Sequence, residues 1–206
     1  MNDHQTVFIV DDDEGVRDGL SLLLATVGVS CELYESAQQF LDMYDGDKRG
    51  CLVLDIRMPR MTGLDLQKKL LEIGSTLPII FITGHGDIPM AVEAMRRGAL
   101  DFIRKPFREH DLLERINEAL NIDENAHRKA MDRQQLAEKL AALSEREKQV
   151  FDRVADGQMN KVIAADLGIS ERTVEVHRGQ VMKKLEVRTL AQLVRVKIDM
   201  EQNAAA

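Results

Sequence analysis

The chain has 206 residues, 44% hydrophobic and 31% charged, with a formal net charge of −7. That length holds one large domain or two modest ones, and no apolar run approaches the roughly 20 residues a membrane span needs. Met1-Asn2-Asp3-His4 lacks the basic and apolar regions of a signal peptide, and the two cysteines, Cys31 and Cys51, have no metal-like spacing, so a cytosolic setting with free thiols is expected. The charge is unevenly spread. Residues 1–125 carry 13 Lys/Arg against 23 Asp/Glu, residues 126–206 carry 15 against 12, and residues 158–197 carry 8 against 4. The first half suits a cation and the last part a polyanion.

Val7 to Val10 reads as a buried strand that ends in Asp11-Asp12-Asp13-Glu14. Val16, Leu20, Leu23, Leu24 and Val27 follow at helical spacing, and Gly28 closes that helix. Cys31 to Tyr34 is a second strand, and Ser36 caps a short helix with Ala37, Phe40 and Leu41. Cys51 to Leu54 is an unbroken apolar run, as expected of a strand buried on both faces of a parallel sheet. It ends on Asp55, and Met58-Pro59 cannot prolong a ladder because proline has no N–H. A helix from about Gly63 to Ile73 leads to a fourth strand, Pro78 to Thr83. The loop Gly84-His85-Gly86-Asp87 feeds a helix with Ile88, Ala91, Val92 and Met95, closed by Gly98. A short strand, Asp101 to Arg104, meets Lys105-Pro106-Phe107, and a helix runs from about Arg108 to Leu120. Five βα units in about 120 residues predict a doubly wound parallel sheet with helices on both faces.

Polar residues gather at one edge of that sheet: Asp11 and Asp12 end strand one, Asp55 strand three, Thr83 strand four and Lys105 strand five. With strand order 2-1-3-4-5, strands one and three flank the topological switch point where ligands bind. Three crowded carboxylates repel unless a cation neutralises them, and an oxygen-only, partly hydrated set suits magnesium better than zinc or copper. Phosphoryl transfer needs this combination: a metal, a lysine, a hydroxyl, and an aspartate able to become an acyl phosphate. Taken singly, each residue reads more plainly as a cap, a surface charge or a strand residue. Their joint placement argues against that.

Val10-Asp11-Asp12-Asp13, Asp55-Ile56-Arg57-Met58-Pro59 with Met61 and Gly63, Ile82-Thr83-Gly84-His85-Gly86-Asp87 and Lys105-Pro106-Phe107 resemble a response-regulator receiver domain, and the loop and helix from Gly84 to Val92 resemble the FixJ branch. The resemblance covers about residues 1–122. It implies that Asp55 is the phospho-acceptor, that Asp11, Asp12 and Asp55 hold Mg2+ with the Arg57 backbone carbonyl, and that Thr83 and Lys105 contact the phosphoryl group. Phe102 matches the aromatic switch, and Arg57 and His85 match variable positions that tune phosphate lifetime.

Asn121 to Ala142 holds neither proline nor glycine and is rich in helix formers, which predicts a semi-rigid helical spacer. Leu136, Leu140 and Leu143 share a face, suited to packing on the second domain or pairing with another chain. Ser144 and Glu147 form a capping box before Val150, Phe151 and Val154. Asn160 to Leu167 and a helix from Ser170 to about Leu185 flank Gly168 at helix-turn-helix spacing. A fourth helix covers Thr189 to Ile198, and Asp199 to Ala206 reads as a frayed end. On the third helix Val174, Val181 and Leu185 point inward, which leaves Thr173, Glu175, His177, Arg178, Lys183 and Lys184 mostly outside. Such a face suits a major groove.

Leu143-Ser144-Glu145-Arg146-Glu147, Asn160-Lys161-Val162-Ile163-Ala164, Ile169 to Arg178 and Met182-Lys183-Lys184-Leu185 resemble the four-helix DNA-binding domain of NarL/LuxR/FixJ regulators over about residues 143–200. This implies that Glu175, Val176, His177 and Arg178 face base edges, and that Asn160, Lys161, Arg172, Thr173 and Lys183 contact phosphates. Gly179 stands where some relatives carry a base-reading lysine.

The expectation is therefore an α/β receiver at 1–122, a helical linker at 123–142 and an all-α helix-turn-helix domain at 143–200. Its partners would be a sensor histidine kinase, double-stranded promoter DNA, RNA polymerase and, on phosphorylation, a second copy of the chain. The rival from another class is a magnesium-dependent phosphohydrolase, which normally needs a cap or an acid two residues after its nucleophile; here that place holds Arg57.

Overall fold

The computed structural model describes residues 5–84 and 88–204, so His85 and its expected tuning role lie outside the described residues. Five strands, β1 (Thr6–Val10), β2 (Cys31–Tyr34), β3 (Gly50–Asp55), β4 (Ile79–Thr83) and β5 (Asp101–Arg104), form one parallel sheet in the order β2-β1-β3-β4-β5. Between them run α1 (Glu14–Thr26), α2 (Ala37–Asp42), α3 (Gly63–Glu72) and α4 (Ile88–Arg96). The expected topology is present.

The period-2 geometry of each strand sorts its apolar side chains onto two faces. Phe8, Val10, Leu52, Leu54, Ile79 and Phe81 join Phe40, Leu66, Leu70 and Ala94 in one core. Val7, Ile9, Cys51, Val53, Ile80 and Ile82 pack with Leu20, Leu24, Leu112, Ile116 and Ala119 on the other side. The first core is keyed by Phe40, whose ring meets Phe8 and Tyr34 edge-on at centroid distances of 5.8 and 5.1 Å. The central strands are buried on both faces, which is why their sequences are continuous apolar runs rather than alternating ones.

After β5 comes α5 (Glu109–Ala141), a single helix of 33 residues. The chain divides into two compact units, residues 1–127 and 128–206, and the division falls inside this helix. In the first unit α5 is tied to the amino ends of β1 and β3 by charge. The Arg49 guanidinium donates to both Asp123 carboxylate oxygens at 3.1 and 2.9 Å, and Gln5 donates to Asp123 and to the Leu120 carbonyl.

The second unit contains α6 (Glu145–Ala155), α7 (Asn160–Leu167), α8 (Glu171–Lys184) and α9 (Leu190–Ala204) around Val150, Phe151, Val154, Ile163, Val174, Val181, Leu185 and Leu193. Leu143 is buried in this core and Leu140 packs against it, so two of the three linker leucines are used within the unit. Gly168 ends α7 in the left-handed region at φ 65°, ψ 36°, a conformation costly for any residue with a Cβ. Two residues later the Ser170 hydroxyl accepts from the Thr173 N–H at 3.1 Å and starts α8. Asp199 and the residues after it were expected to fray. Instead α9 continues to Ala204, because Val196 and Met200 pack against the core one and two turns beyond Leu193.

The capping box at Ser144 forms as expected, with Glu147 N–H donating to the serine hydroxyl and Ser144 N–H donating to Glu147 at 2.7 Å. It also has a third member. The Lys184 ammonium donates to Glu147 at 2.7 Å and to the Ala142 carbonyl at 3.0 Å. Lys184, expected on the outer face of α8, is thus spent on an internal anchor. The Lys184 hydrogen bond first, then the Ser144 N–H, hold the Glu147 carboxyl down at about 2. A depressed carboxyl contributes stability that is complete above its unfolded value near 4.5 and is lost as pH falls towards 2. Glu147→Gln is expected to destabilise the second unit by about 1 kcal/mol at neutral pH. The gap in melting temperature between native and variant should close between pH 4.5 and 2 in calorimetry; a gap that persists at pH 2 would contradict the assignment.

Candidate functional site

At the carboxyl edge of the sheet, register fixes who meets whom: Val10 pairs with Leu54, Asp55 with Ile82 and Thr83 with Arg104. Asp11 and Asp55 therefore leave their strands side by side, Thr83 one residue beyond that level and Lys105 two. Asp11 is buried, and its N–H still bonds the Tyr34 carbonyl at 3.2 Å, so it is held as if part of the ladder. Asp55 is the last residue of β3 and is 6% exposed. Lys105 crosses to both carboxylates, 2.6 Å from Asp11 Oδ2 and 3.3 Å from Asp55 Oδ1. Its own N–H donates to the Thr83 carbonyl at 2.8 Å, across a cis Lys105–Pro106 junction.

The remaining oxygens of the pair are held by backbone. Asp11 Oδ1 accepts from Asp13 N–H at 3.0 Å, and Asp55 Oδ2 accepts from Arg57 N–H at 2.7 Å. The loop carrying Arg57 is pinned from beneath by Gly63, whose N–H donates to the Ile56 carbonyl at 2.9 Å. A Cβ on Gly63 would lie 2.2 Å from the Asp55 carbonyl oxygen, so only glycine permits this return of the chain. Arg17, which sequence reasoning passed over, donates to the Asp11 carbonyl at 2.8 Å. It lies on α1 four residues beyond Asp13, whose side chain caps that helix through Val16 N–H; that spacing was the available signal.

The three acidic residues after β1 do different things. Asp11 faces the pocket, Asp13 is a cap, and Asp12 is exposed at the bend between them. Among the described residues no group of three or more acidic, histidine or cysteine side chains stands close enough to hold a metal. The expected crowding of three carboxylates is therefore replaced by two that converge on one lysine.

Burial, more than any other cause, pushes the Asp55 carboxyl above the usual carboxylate range; Asp11 adds to this, while Lys105 and the Arg57 N–H oppose it. The pocket is thus short of positive charge. Two carboxylates, nearby backbone oxygens and an exposed third aspartate fit a magnesium ion, which takes one or two carboxylates and keeps several waters. Phe102 lies on β5 opposite Phe81, half-buried against the first core, two residues before the level of Thr83.

In the second unit the nucleic-acid candidates fall on α7 and α8. Lys161, Arg172, Glu175, Val176 and Lys183 are exposed; Asn160, Thr173, His177 and Arg178 are half-buried. Arg178 donates to Asn160 Oδ1 at 3.3 Å and joins the two helices, and the Thr173 hydroxyl lies 2.8 Å from Ser170 Oγ. Val174, Val181 and Leu185 face the core, so the exposed Arg172, Glu175, Val176 and Lys183 lie on the opposite side of α8, with Lys161 on α7.

Residues 7–117 match the response regulator receiver domain model, and residues 141–197 match the model for bacterial regulatory proteins of the LuxR family. The chain belongs to the response regulators with a LuxR-type DNA-binding domain. It is 48% identical over 197 residues to the response regulator protein TmoT of Ectopseudomonas mendocina, covering 95% of this chain and 90% of that one. It is 42% identical over 190 residues to the transcriptional regulatory protein FixJ of Bradyrhizobium diazoefficiens, covering 92% and 93%. The solved structure of the response regulator StyR superposes with a TM-score of 0.89 at 45% identity, over 95% of this chain and 99% of that one. This is a family of two-component transcription regulators that joins a receiver to a DNA-binding domain, not one of turnover enzymes, which removes the phosphohydrolase reading. No described helix of this response regulator is long and apolar enough to cross a membrane.

A carboxyl raised on folding binds its proton more tightly in the folded state. Stability therefore falls as pH rises through the window from the ordinary aspartate value up to the raised one. At neutral pH the ionised Asp55 is a cost, which a divalent cation offsets. In the absence of divalent cations, Asp55→Asn is expected to melt above the native receiver at pH 7, with the difference vanishing below pH 4. Magnesium at 100 times its dissociation constant should add about 2.7 kcal/mol to the native chain and much less to the variant. A native chain insensitive to magnesium in differential scanning calorimetry would contradict the pocket's charge balance.

Proposed function

We propose that a sensor histidine kinase phosphorylates Asp55, and that this acylation turns the response regulator into a dimeric, sequence-specific DNA-binding protein that activates transcription. The observation that carries the reading is the Lys105 ammonium held between the buried Asp11 and Asp55 carboxylates at the mouth of the sheet. A carboxylate oxygen of Asp55 attacks the phosphorus of a phosphohistidine, the P–N bond breaks, and an acyl phosphate forms while the imidazole takes up a proton. Asp11, Asp12, Asp55 and the Arg57 carbonyl are the ligands proposed for Mg2+, which supplies charge neutralisation for the transferring group. Lys105 then has phosphoryl oxygens to follow, and the Thr83 hydroxyl donates to one of them.

Thr83 ends β4, and Phe102 lies on the neighbouring β5 opposite Phe81, two residues before the level of Thr83; on this reading a movement of the first makes room for the ring of the second. That couples the acyl phosphate to the shape of the receiver, and a second copy of the chain is the partner that reads the shape. Residues 1–122 do this work, 123–142 link, and 143–200 bind promoter DNA. In the bound state Glu175, Val176, His177 and Arg178 face base edges, while Asn160, Lys161, Arg172, Thr173 and Lys183 hold phosphates; RNA polymerase is the downstream partner, in the cytoplasm. The exposure of the α8 face supports this assignment.

Acetyl phosphate and magnesium are expected to raise the affinity of the native chain for duplex selected from genomic fragments by about tenfold or more. Dimerisation, followed by analytical ultracentrifugation, should rise with it. Asp55→Asn should show neither gain but keep the low affinity of the resting chain, because phosphorylation shifts an existing equilibrium. Equal gains in the variant would refute Asp55 as the acceptor.

A further inference from the structure

Most of the described glycines have an internal reason. Among the described residues seven adopt positive φ, and Gly63 sits under the Asp55 carbonyl where a Cβ has no room. Gly179 has none. It lies in the interior of α8, it is exposed, and a Cβ built there would meet nothing within 4 Å. Glycine is the poorest helix former apart from proline, so α8 is weakened at its centre with no gain inside the chain. Gly19 of α1 shares this freedom, so the property alone decides nothing. Its place does.

Positions 172, 175, 176, 179 and 183 recur at the helical spacing of one face, and all five are exposed. Gly179 is at the middle of that face, with Arg172 and Lys183 towards its ends and Val176, 57% exposed, one turn before it. The helix thus presents a bare strip of backbone where the face is centred. A helix with side chains is about as wide as the major groove, so the residue at the middle of the buried face limits how closely its axis approaches the bases.

What fits against a bare Cα follows from its chemistry. It offers no donor and no acceptor. A guanine, cytosine or adenine edge pressed against it would lose water without gaining a partner, which is costly. Thymine alone presents an apolar group in the major groove, its 5-methyl. We infer that Gly179 is a specificity-determining residue that seats the 5-methyl of one thymine in each half-site against its bare backbone. This rests on the DNA-binding reading of α8 and narrows it to a base.

The test uses the full chain with acetyl phosphate and magnesium. A duplex is first selected from a randomised library by the native chain, and each thymine in it is then replaced in turn by deoxyuridine, which lacks only the methyl. One position per half-site is expected to lose affinity by about threefold to fourfold, the worth of one buried methyl. Gly179→Ala should bind the selected duplex about tenfold more weakly and no longer distinguish thymine from deoxyuridine there. Its dependence on salt should be unchanged, since phosphate contacts remain. Its second unit should melt about 2–6 °C higher, which excludes a folding defect. Gly19→Ala is the control, with full affinity and discrimination. Equal affinity and the same selected sequence for Gly179→Ala would overturn the inference, as would a native chain indifferent to every deoxyuridine, or the same loss in Gly19→Ala. A native chain that selects no sequence at all would instead remove the DNA reading on which it stands.

Discussion

One ammonium serving two carboxylates is the constraint around which the first unit is arranged. Lys105 is nearer to Asp11, at 2.6 Å, than to Asp55, at 3.3 Å. The charge is therefore shared unequally, and burial drives the Asp55 carboxyl up against what Lys105 supplies. The parallel register of β1, β3, β4 and β5 brings the set together, with Asp11 beside Asp55 and Lys105 leaving β5 two residues further along. Removing the lysine would leave two acids facing one another in a poorly solvated pocket, a worse arrangement than either acid alone.

Backbone groups complete what the lysine leaves. Asp13 and Arg57 give their N–H groups to the second oxygen of each carboxylate, and both donors are set by local chain geometry rather than by side chains. The loop after β3 keeps its course because Gly63 lets it pass against the Asp55 carbonyl. The acid is thereby fixed in orientation. The second unit uses a buried carboxylate in the opposite sense. Glu147 is surrounded by donors, its carboxyl is depressed, and its part is to lock α8 to the start of α6.

Much of this was legible in the residues. The strands are short apolar runs and each ends on a polar residue, so the sheet, its order and the edge where function gathers follow from pattern and topology. Helix starts were equally readable, since Ser36, Ser144 and Ser170 each accept the expected backbone N–H. What was not legible depends on tertiary partners. Asp12 is adjacent to Asp11 in sequence, yet Asp11 is buried and Asp12 exposed. Lys184 looks like part of a basic face until Glu147, 37 residues away, is seen beside it. The Arg49–Asp123 clasp joins residues 74 apart and has no sequence signature. The end of α9 was misjudged because Met200 reads as one apolar residue in a polar tail, whereas it packs against the core.

The size of the switch follows from the same inventory. To move a two-state receiver from about 1:99 to about 99:1, phosphorylation must favour the active state by roughly 5.5 kcal/mol. On the proposed reading the protein's own new contacts to the phosphoryl group are those of Lys105 and Thr83. A hydrogen bond to a charged group contributes about 1.5–3 kcal/mol, so two such bonds supply about 3–6 kcal/mol. Lys105 must also give up part of its bond with Asp11, which subtracts from that sum. The acyl phosphate alone therefore falls at or below what a complete switch needs. On the same proposed reading, pairing with a second copy that binds only the active form would supply the rest by mass action. A receiver built this way would respond to its own concentration as well as to its kinase, and its resting state would retain a small active fraction.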